Sequence, residues 1–377
     1  MTYGTRRNDG SKFSKLTLLL LLFAALCIAA AAIGQTTRPR TTTTAQPSSD
    51  AQQPTTANSP QTDSPSSQAT PPPPPPPTPS STTPPVVSAT PPPDDDEDEV
   101  IRITSNLVVV PVSVTDAKGE LVRGLMANDF RLDEEGRKQE IARVGDPEEV
   151  PIELALLLDV SGSINARFAF EREAASRFLK TVLKPADRAA IFAIDTQPRM
   201  VSERASVDAA TQKLLAVEPS KKATAFYDTV AQAAQYLRNS TPPRARRVIV
   251  CISDGDDTYS ENFATIAKTL PEVQRADAVF YSINPSGKSI WLNVRSKRGQ
   301  SELQQLATAT GGAAFLPDML EDLDAVFRQI TNELRSQYLL QYYSTNNSGN
   351  NQFIRINVRT PARADLRVRA RQGYYRK

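Results

Sequence analysis

The spacing of apolar and polar positions changes character along the chain. Positions 16–33 are almost all apolar, and positions 35–99 are almost all polar or proline. From 107 the period is two. Val108, Val110, Val112 and Val114 fall on one face of a strand over 107–114. A turn is expected at 116–119 and further short strands at 121–124, 130–132 and 141–144. Glu135-Gly136 would be a hairpin turn. From 151 short continuous apolar runs take over, at 154–158, 189–194, 247–253 and 278–283. Runs this short, bounded by turn residues, read as strands buried on both faces. A brief strand at 313–316 and an edge strand at 198–201 complete the set.

Between these runs the period is helical. The spacing predicts helices over 166–183, 207–217, 224–237, 262–274, 301–310 and 320–335. Phe170, Ala174, Phe178 and Val182 form the stripe of the first, and Tyr227, Val230, Ala231 and Ala234 face inward on the third. Gly311-Gly312 ends the fifth. Strands alternating with helices imply an α/β class, a doubly wound and mostly parallel sheet with helices on both faces. After 337 the period returns to two, with strands over 338–343, 353–358 and 366–370 and a loop at 346–349. The flanking β segments, 100–148 and 337–377, either form one sandwich around the α/β domain of 150–335 or stand as two small modules.

The N-terminal quarter is of another kind. Arg6, Arg7, Lys12 and Lys15 precede the apolar run, so residues 1–34 read as an export signal. The run over 16–33 is also long enough for a membrane anchor, and both fates are compatible with it. Residues 35–99 are Pro-, Thr- and Ser-rich, with an unbroken proline run at 71–77. They are expected to be a disordered linker with a stiff polyproline II stretch. The acidic run 94–99 closes it as a solvated charge cluster. The protein is thus expected to be exported: periplasmic, at the cell surface or secreted, with membrane contact only through the N-terminal segment.

Composition narrows the chemistry. The chain of 377 residues contains no histidine, which excludes Ser-His-Asp and Cys-His catalysis and His-bearing zinc sites. Two cysteines, Cys27 and Cys251, give no disulfide framework, and Cys251 falls in an expected core strand. The formal net charge of +2 carries no nucleic-acid footprint.

The densest chemistry lies in LALLLDVSGS, residues 154–163, where a buried strand runs into a turn. Asp159, Ser161 and Ser163 alternate, so a nearly extended segment would point all three oxygen-bearing side chains one way. Thr224 lies where a helical pattern starts, and Asp254 ends the run of 248–254 in Ser-Asp-Gly. Oxygen donors without sulfur or imidazole suit a hard cation such as Mg2+. Singly, each has a plainer reading. The two aspartates could receive backbone donors at strand ends, Ser161 and Ser163 could cap the next helix, and Thr224 could cap its own. Asp256 and Asp257 read as solvated loop acids.

Taken together, Asp-x-Ser-x-Ser, a later Thr and a strand ending in Ser-Asp-Gly resemble the metal-ion-dependent adhesion site of the von Willebrand factor type A domain. The likeness covers about residues 150–335. More loosely, Asn106-LVVVP, Gly124-Leu125 with Asp129-Phe130, and the ending RARQGYY are similar to the flanks of a bacterial family related to that domain. The resemblance implies Mg2+ (or Mn2+) held directly by Ser161, Ser163 and Thr224, with Asp159 and Asp254 acting mostly through water. Ala223 departs from the glycine that many relatives carry before the threonine. The implied function is capture of a protein partner whose Asp or Glu carboxylate fills the open position on the ion. An envelope-assembly scaffold with a structural metal is the alternative. A metal-dependent hydrolase is more remote, since hydroxyl-rich coordination activates water poorly and no histidine base exists.

Overall fold

The computed structural model describes residues 1, 107–161, 167–220, 222–287, 293–346 and 349–376. The expected signal or anchor of 1–34, the linker of 35–99 and Ser163 lie outside the described residues. Among the described residues no helix is long and apolar enough to cross a membrane.

The four alternating valines are buried in β1 (Leu107–Thr115), while Leu107 and Val109 face out. The turn at 116–119 follows as expected. The strand expected at 121–124 does not form, and Leu121 makes a single bridge to Thr115. There the Tyr338 hydroxyl donates to the Val122 carbonyl and accepts from the Leu125 amide, replacing the partners a strand would need. β2 (Arg131–Glu134) and β3 (Arg137–Gln139) make the hairpin at Glu135-Gly136, where both residues have positive φ, and β4 (Ile141–Gly145) follows.

The α/β layer then runs through β5 (Ile152–Asp159), α1 (Phe168–Val182), β6 (Arg188–Ile194), β7 (Arg199–Ala205), α2 (Val207–Leu215) and α3 (Phe226–Ser240). It continues with β8 (Arg246–Ile252), α4 (Ile266–Arg275), β9 (Ala278–Ile283), α5 (Val294–Thr310), β10 (Ala314–Phe315) and α6 (Leu323–Leu334). The sheet order is β10-β9-β8-β5-β6-β7, parallel except for the edge strand β7. β5 and β8 are central and buried along their whole length. Leu154, Leu156 and Leu158 of β5 join one apolar core, and Ala155 and Leu157 join the other across the sheet. This is the doubly wound, mostly parallel architecture expected.

Three helices differ from expectation. Phe170 is only half-buried on α1, whose buried stripe is Phe168, Glu171, Ala174, Ala175 and Phe178. α4 starts at Ile266 rather than 262, because the amides of Glu261, Asn262 and Phe263 donate to the Asp228 carboxylate. α5 begins seven residues before 301, capped by Asn293, which accepts from the Ser296 amide at 2.9 Å.

The chain ends in β11 (Tyr338–Tyr343), β12 (Phe353–Arg359), β13 (Arg367–Ala370) and β14 (Gly373–Tyr375). Strands from the two ends of the described region pair with each other. One antiparallel sheet has the order β13-β1-β11-β4, and β12 binds both β14 and β2 in the order β14-β12-β2-β3. Val110, Val112, Leu132, Leu340, Tyr342, Ile354 and Tyr374 from both sheets share one core.

Candidate metal centre

β5 and β8 are adjacent parallel strands, with Leu158 opposite Ile252. Their carboxyl ends therefore deliver Asp159 and the Ser253-Asp254 pair to one edge of the sheet, where ligands of open α/β sheets bind. Asp159 is wholly buried. Its Oδ1 accepts from the Ser161 amide at 3.0 Å, and its Oδ2 accepts from the Ser253 hydroxyl at 2.7 Å. That second bond joins the two strand ends directly. The Gly255 amide donates to the same Ser253 Oγ at 3.1 Å. Burial pushes the Asp159 carboxyl up to about 6, against the hydrogen bonds from Ser161 and Ser253, and the nearby Asp254 charge adds to the rise.

Thr224 is brought in by its backbone. Its carbonyl accepts from the amides of Thr258 and Tyr259 at 2.8 and 3.0 Å, and its amide donates to Thr258 Oγ1 at 2.8 Å. The loop carrying Thr224 is thus fastened to the loop that follows Asp254. On its other side the Ala225 amide donates to the Asp195 carbonyl at the end of β6, and the Ser220 amide donates to the Val160 carbonyl. The three loops, after β5, before α3 and after β8, form one cluster.

Thr224 does not cap its helix: Ala225 is the N-cap of α3, and no side-chain cap forms there. Ser161 does not cap α1 either, since Arg167 holds that position without a side-chain cap. The aspartates fit the plain reading in part. Asp159 Oδ1 and Asp254 Oδ1 each accept one local amide, the latter from Asp256 at 3.0 Å. Ser161 and Thr224 are buried hydroxyl residues at the same edge. Ser163 lies outside the described residues, so four of the five expected positions are placed.

Asp256 and Asp257 are not freely solvated. Asp256 pairs with Arg295 at 3.4 Å, and Asp257 accepts from the Tyr227 amide at 3.3 Å and the Ser260 hydroxyl at 2.5 Å. They line a cavity of about 390 Å3 beside the site with Tyr227, Arg298 and Glu302. Close contact with α5 holds this region. Gly255 has φ +76°, and a Cβ there would lie 2.7 Å from the Gly299 carbonyl oxygen.

Two contributors escape the sequence. Ser253 sits beside Asp254 and was masked by it. Glu171 sits three, four and seven residues before Ala174, Ala175 and Phe178, so its place on a buried stripe was the available signal. Its carboxyl is pushed up to about 8, by burial first and then by the charges of Asp159 and Asp254, while Arg167 counteracts.

The donors present fit a hard divalent cation. Among the described residues no group of three or more His, Cys, Asp or Glu side chains is placed to hold an ion unaided. Hydroxyls would have to complete the inner shell, which is the donor set that Ser161 and Thr224 offer beside Asp159.

Among curated proteins none matches the chain. Similar solved structures include an aerotolerance-related membrane protein from Bacteroides fragilis, 18% identical, covering 48% of this chain and 98% of that one with a TM-score of 0.37. BatB from Bacteroides thetaiotaomicron is 17% identical, covering 49% and 100%, with a TM-score of 0.39. Proximal thread matrix protein 1 from the mussel byssus, with a zinc-occupied MIDAS motif, is 15% identical, covering 52% and 48%, with a TM-score of 0.41. The family model described as von Willebrand factor type A domain matches residues 154–256, a span that includes Asp159, Ser161, Ser163, Thr224 and Asp254. Residues 154–256 are therefore similar to the von Willebrand factor type A domain, in agreement with the resemblance read from the sequence.

Proposed function

We propose that this chain is an exported, envelope-tethered binding protein that captures a protein partner through a shared divalent cation. Ser161, Ser163 and Thr224 would hold Mg2+ (or Mn2+) directly, and Asp159 and Asp254 would act mainly through water. The bond from Ser253 to Asp159, which closes the ends of β5 and β8 on one point, is the observation that carries this reading. When bound, the ion would supply uncompensated positive charge, because its inner donors are neutral hydroxyls. A partner's Asp or Glu would be attracted to it, and the loops around the site would select the partner. In this reading residues 1–34 export or anchor the chain, and 35–99 space the domain from the envelope. The β segments 100–148 and 337–377 form a platform for the domain of 150–335.

The test begins with calorimetric titration of Mn2+ and Mg2+ into the protein and into Asp159→Ala. About one ion per chain is expected in the parent and none in the variant, with the fold retained by circular dichroism. Pull-down in Mg2+ and in EDTA should then capture a partner only with the metal. Unchanged ion binding in Asp159→Ala, or a partner held equally in EDTA, would defeat the reading.

A further inference from the structure

Glu171 lies in the first turn of α1, directly after the loop that contains Ser161, and none of its surface is exposed. Among the described residues neither carboxylate oxygen has a hydrogen-bond partner. A buried carboxylate in this state is costly, because desolvation removes several kcal/mol that nothing replaces. The helix dipole does not offset that. A first-turn acid gains only about 0.3–1 kcal/mol, and Glu171 is already past the free amides of the helix end. Its own amide donates to the Arg167 carbonyl. The charges that reach Glu171 are Asp159 and Asp254, which oppose it, and Arg167, whose guanidinium is engaged with the Pro285 carbonyl at 3.2 Å. Glu171 is thus within electrostatic reach of two like charges, Asp159 and Asp254, with Arg167 opposing them. A leucine would fill the stripe between Phe168 and Ala174 without this cost.

The geometry points to Glu171 as an additional acidic partner of the divalent ion at this site, acting on it from outside the inner ligand shell. This rests on the metal-binding reading above. Outer placement follows from the absence, among the described residues, of any cluster of three acids close enough to ligate together. From there a carboxylate can hold water of the ion's shell and balance its charge. Outer-shell partners of this kind typically change metal affinity by about 10- to 100-fold when removed.

The experiment uses the full chain, Glu171→Gln and Glu171→Asp, with Mn2+ titration by calorimetry and thermal melts in EDTA and in saturating Mg2+. Glu171→Gln should bind Mn2+ about 10-fold or more weakly. It should nevertheless melt in EDTA at or above the temperature of the parent, because it no longer buries an unpartnered acid. Glu171→Asp, which keeps the charge, should retain more affinity than the glutamine variant. Equal Mn2+ affinity in parent and Glu171→Gln would overturn this proposal and leave the metal site standing. A lower melting temperature of Glu171→Gln in EDTA would make the residue a packing element and overturn it as well. Absence of Mn2+ binding to the parent itself would instead remove the underlying metal reading, and this inference with it.

Discussion

Asp159 and Glu171 are acids whose burial sets them against the fold when no ion is present. Their ordinary values of 3.8 and 4.5 rise to about 6 and about 8. Each binds its proton more tightly in the folded chain than in the unfolded one. The stability they allow is therefore complete below pH of about 4 and is lost as pH rises through the two folded values. Each pH unit in that window is worth up to about 1.4 kcal/mol per group. In EDTA the melting temperature should fall from pH 5 to pH 8, and the fall should be shallower in Glu171→Gln. Saturating Mg2+ should flatten or reverse it, since a cation favours the ionised carboxylates. Thermal melts across that range decide it, and a melting temperature in EDTA that climbs equally in both proteins would contradict the assignment. Thr224 makes a separate test. Its side chain does not cap α3, so Thr224→Ala should cost less than about 1 kcal/mol of stability while removing most Mn2+ affinity.

Elements position the site through two contacts that differ in kind. The ends of β5 and β8 are held in register by the parallel ladder, so Asp159 and Ser253 meet by strand pairing. The loop after β8 is held by a helix instead. A Cβ built on Gly299 of α5 would lie 2.7 Å from the Asp254 carbonyl oxygen and 2.8 Å from the Gly255 carbonyl carbon. Both neighbours are backbone and cannot rotate away. Gly299→Ala should therefore push α5 from the loop, costing roughly 1–3 kcal/mol. Mn2+ affinity should fall with it, although no ligand has changed. Melts and calorimetry on that variant are the check, and parent-like values in both would show that the loop moves freely. The helical period alone missed the first seven residues of α5, since Arg295, Lys297 and Arg298 interrupt any apolar stripe there.

At the scale of the whole described region, β11 lies between β1 and β4, and β12 lies between β2 and β14. The C-terminal segment thus supplies one interior strand to each sheet, β11 and β12, and one edge strand to each, β13 and β14, while β1 to β4 come from before the α/β layer. The layers are joined as well. Glu333 of α6 accepts from Ser113 of β1 at 2.8 Å and from Tyr281 of β9 at 2.7 Å, and pairs with Arg369 of β13. Deleting 337–377 should expose the valine face of β1, leave β4 without β11 and leave β2 paired with β3 alone. The truncated protein should aggregate, as seen by light scattering, whereas residues 150–335 keep both of their cores and should stay folded. A soluble, monomeric truncation would favour two independent β modules.

The class of the α/β layer and four of its central strands were legible because buried parallel strands leave continuous apolar runs that little else produces. The candidate donors stood out because Asp159, Ser161 and Ser163 follow one such run and Asp254 ends another, where polar residues are conspicuous, while Thr224 precedes a helical pattern. Very short strands were not, since β3 and β14 are three residues each and too brief to establish a period. Pairing between segments some 200 residues apart left no local trace, because a strand's own pattern specifies its buried face but not its neighbour. The bond from Ser253 to Asp159 and the burial of Glu171 likewise depend on which surfaces meet. Local spacing singled out the candidate donors and their elements. Only tertiary packing decided which oxygens share an edge, and which acid is enclosed beside them without a partner.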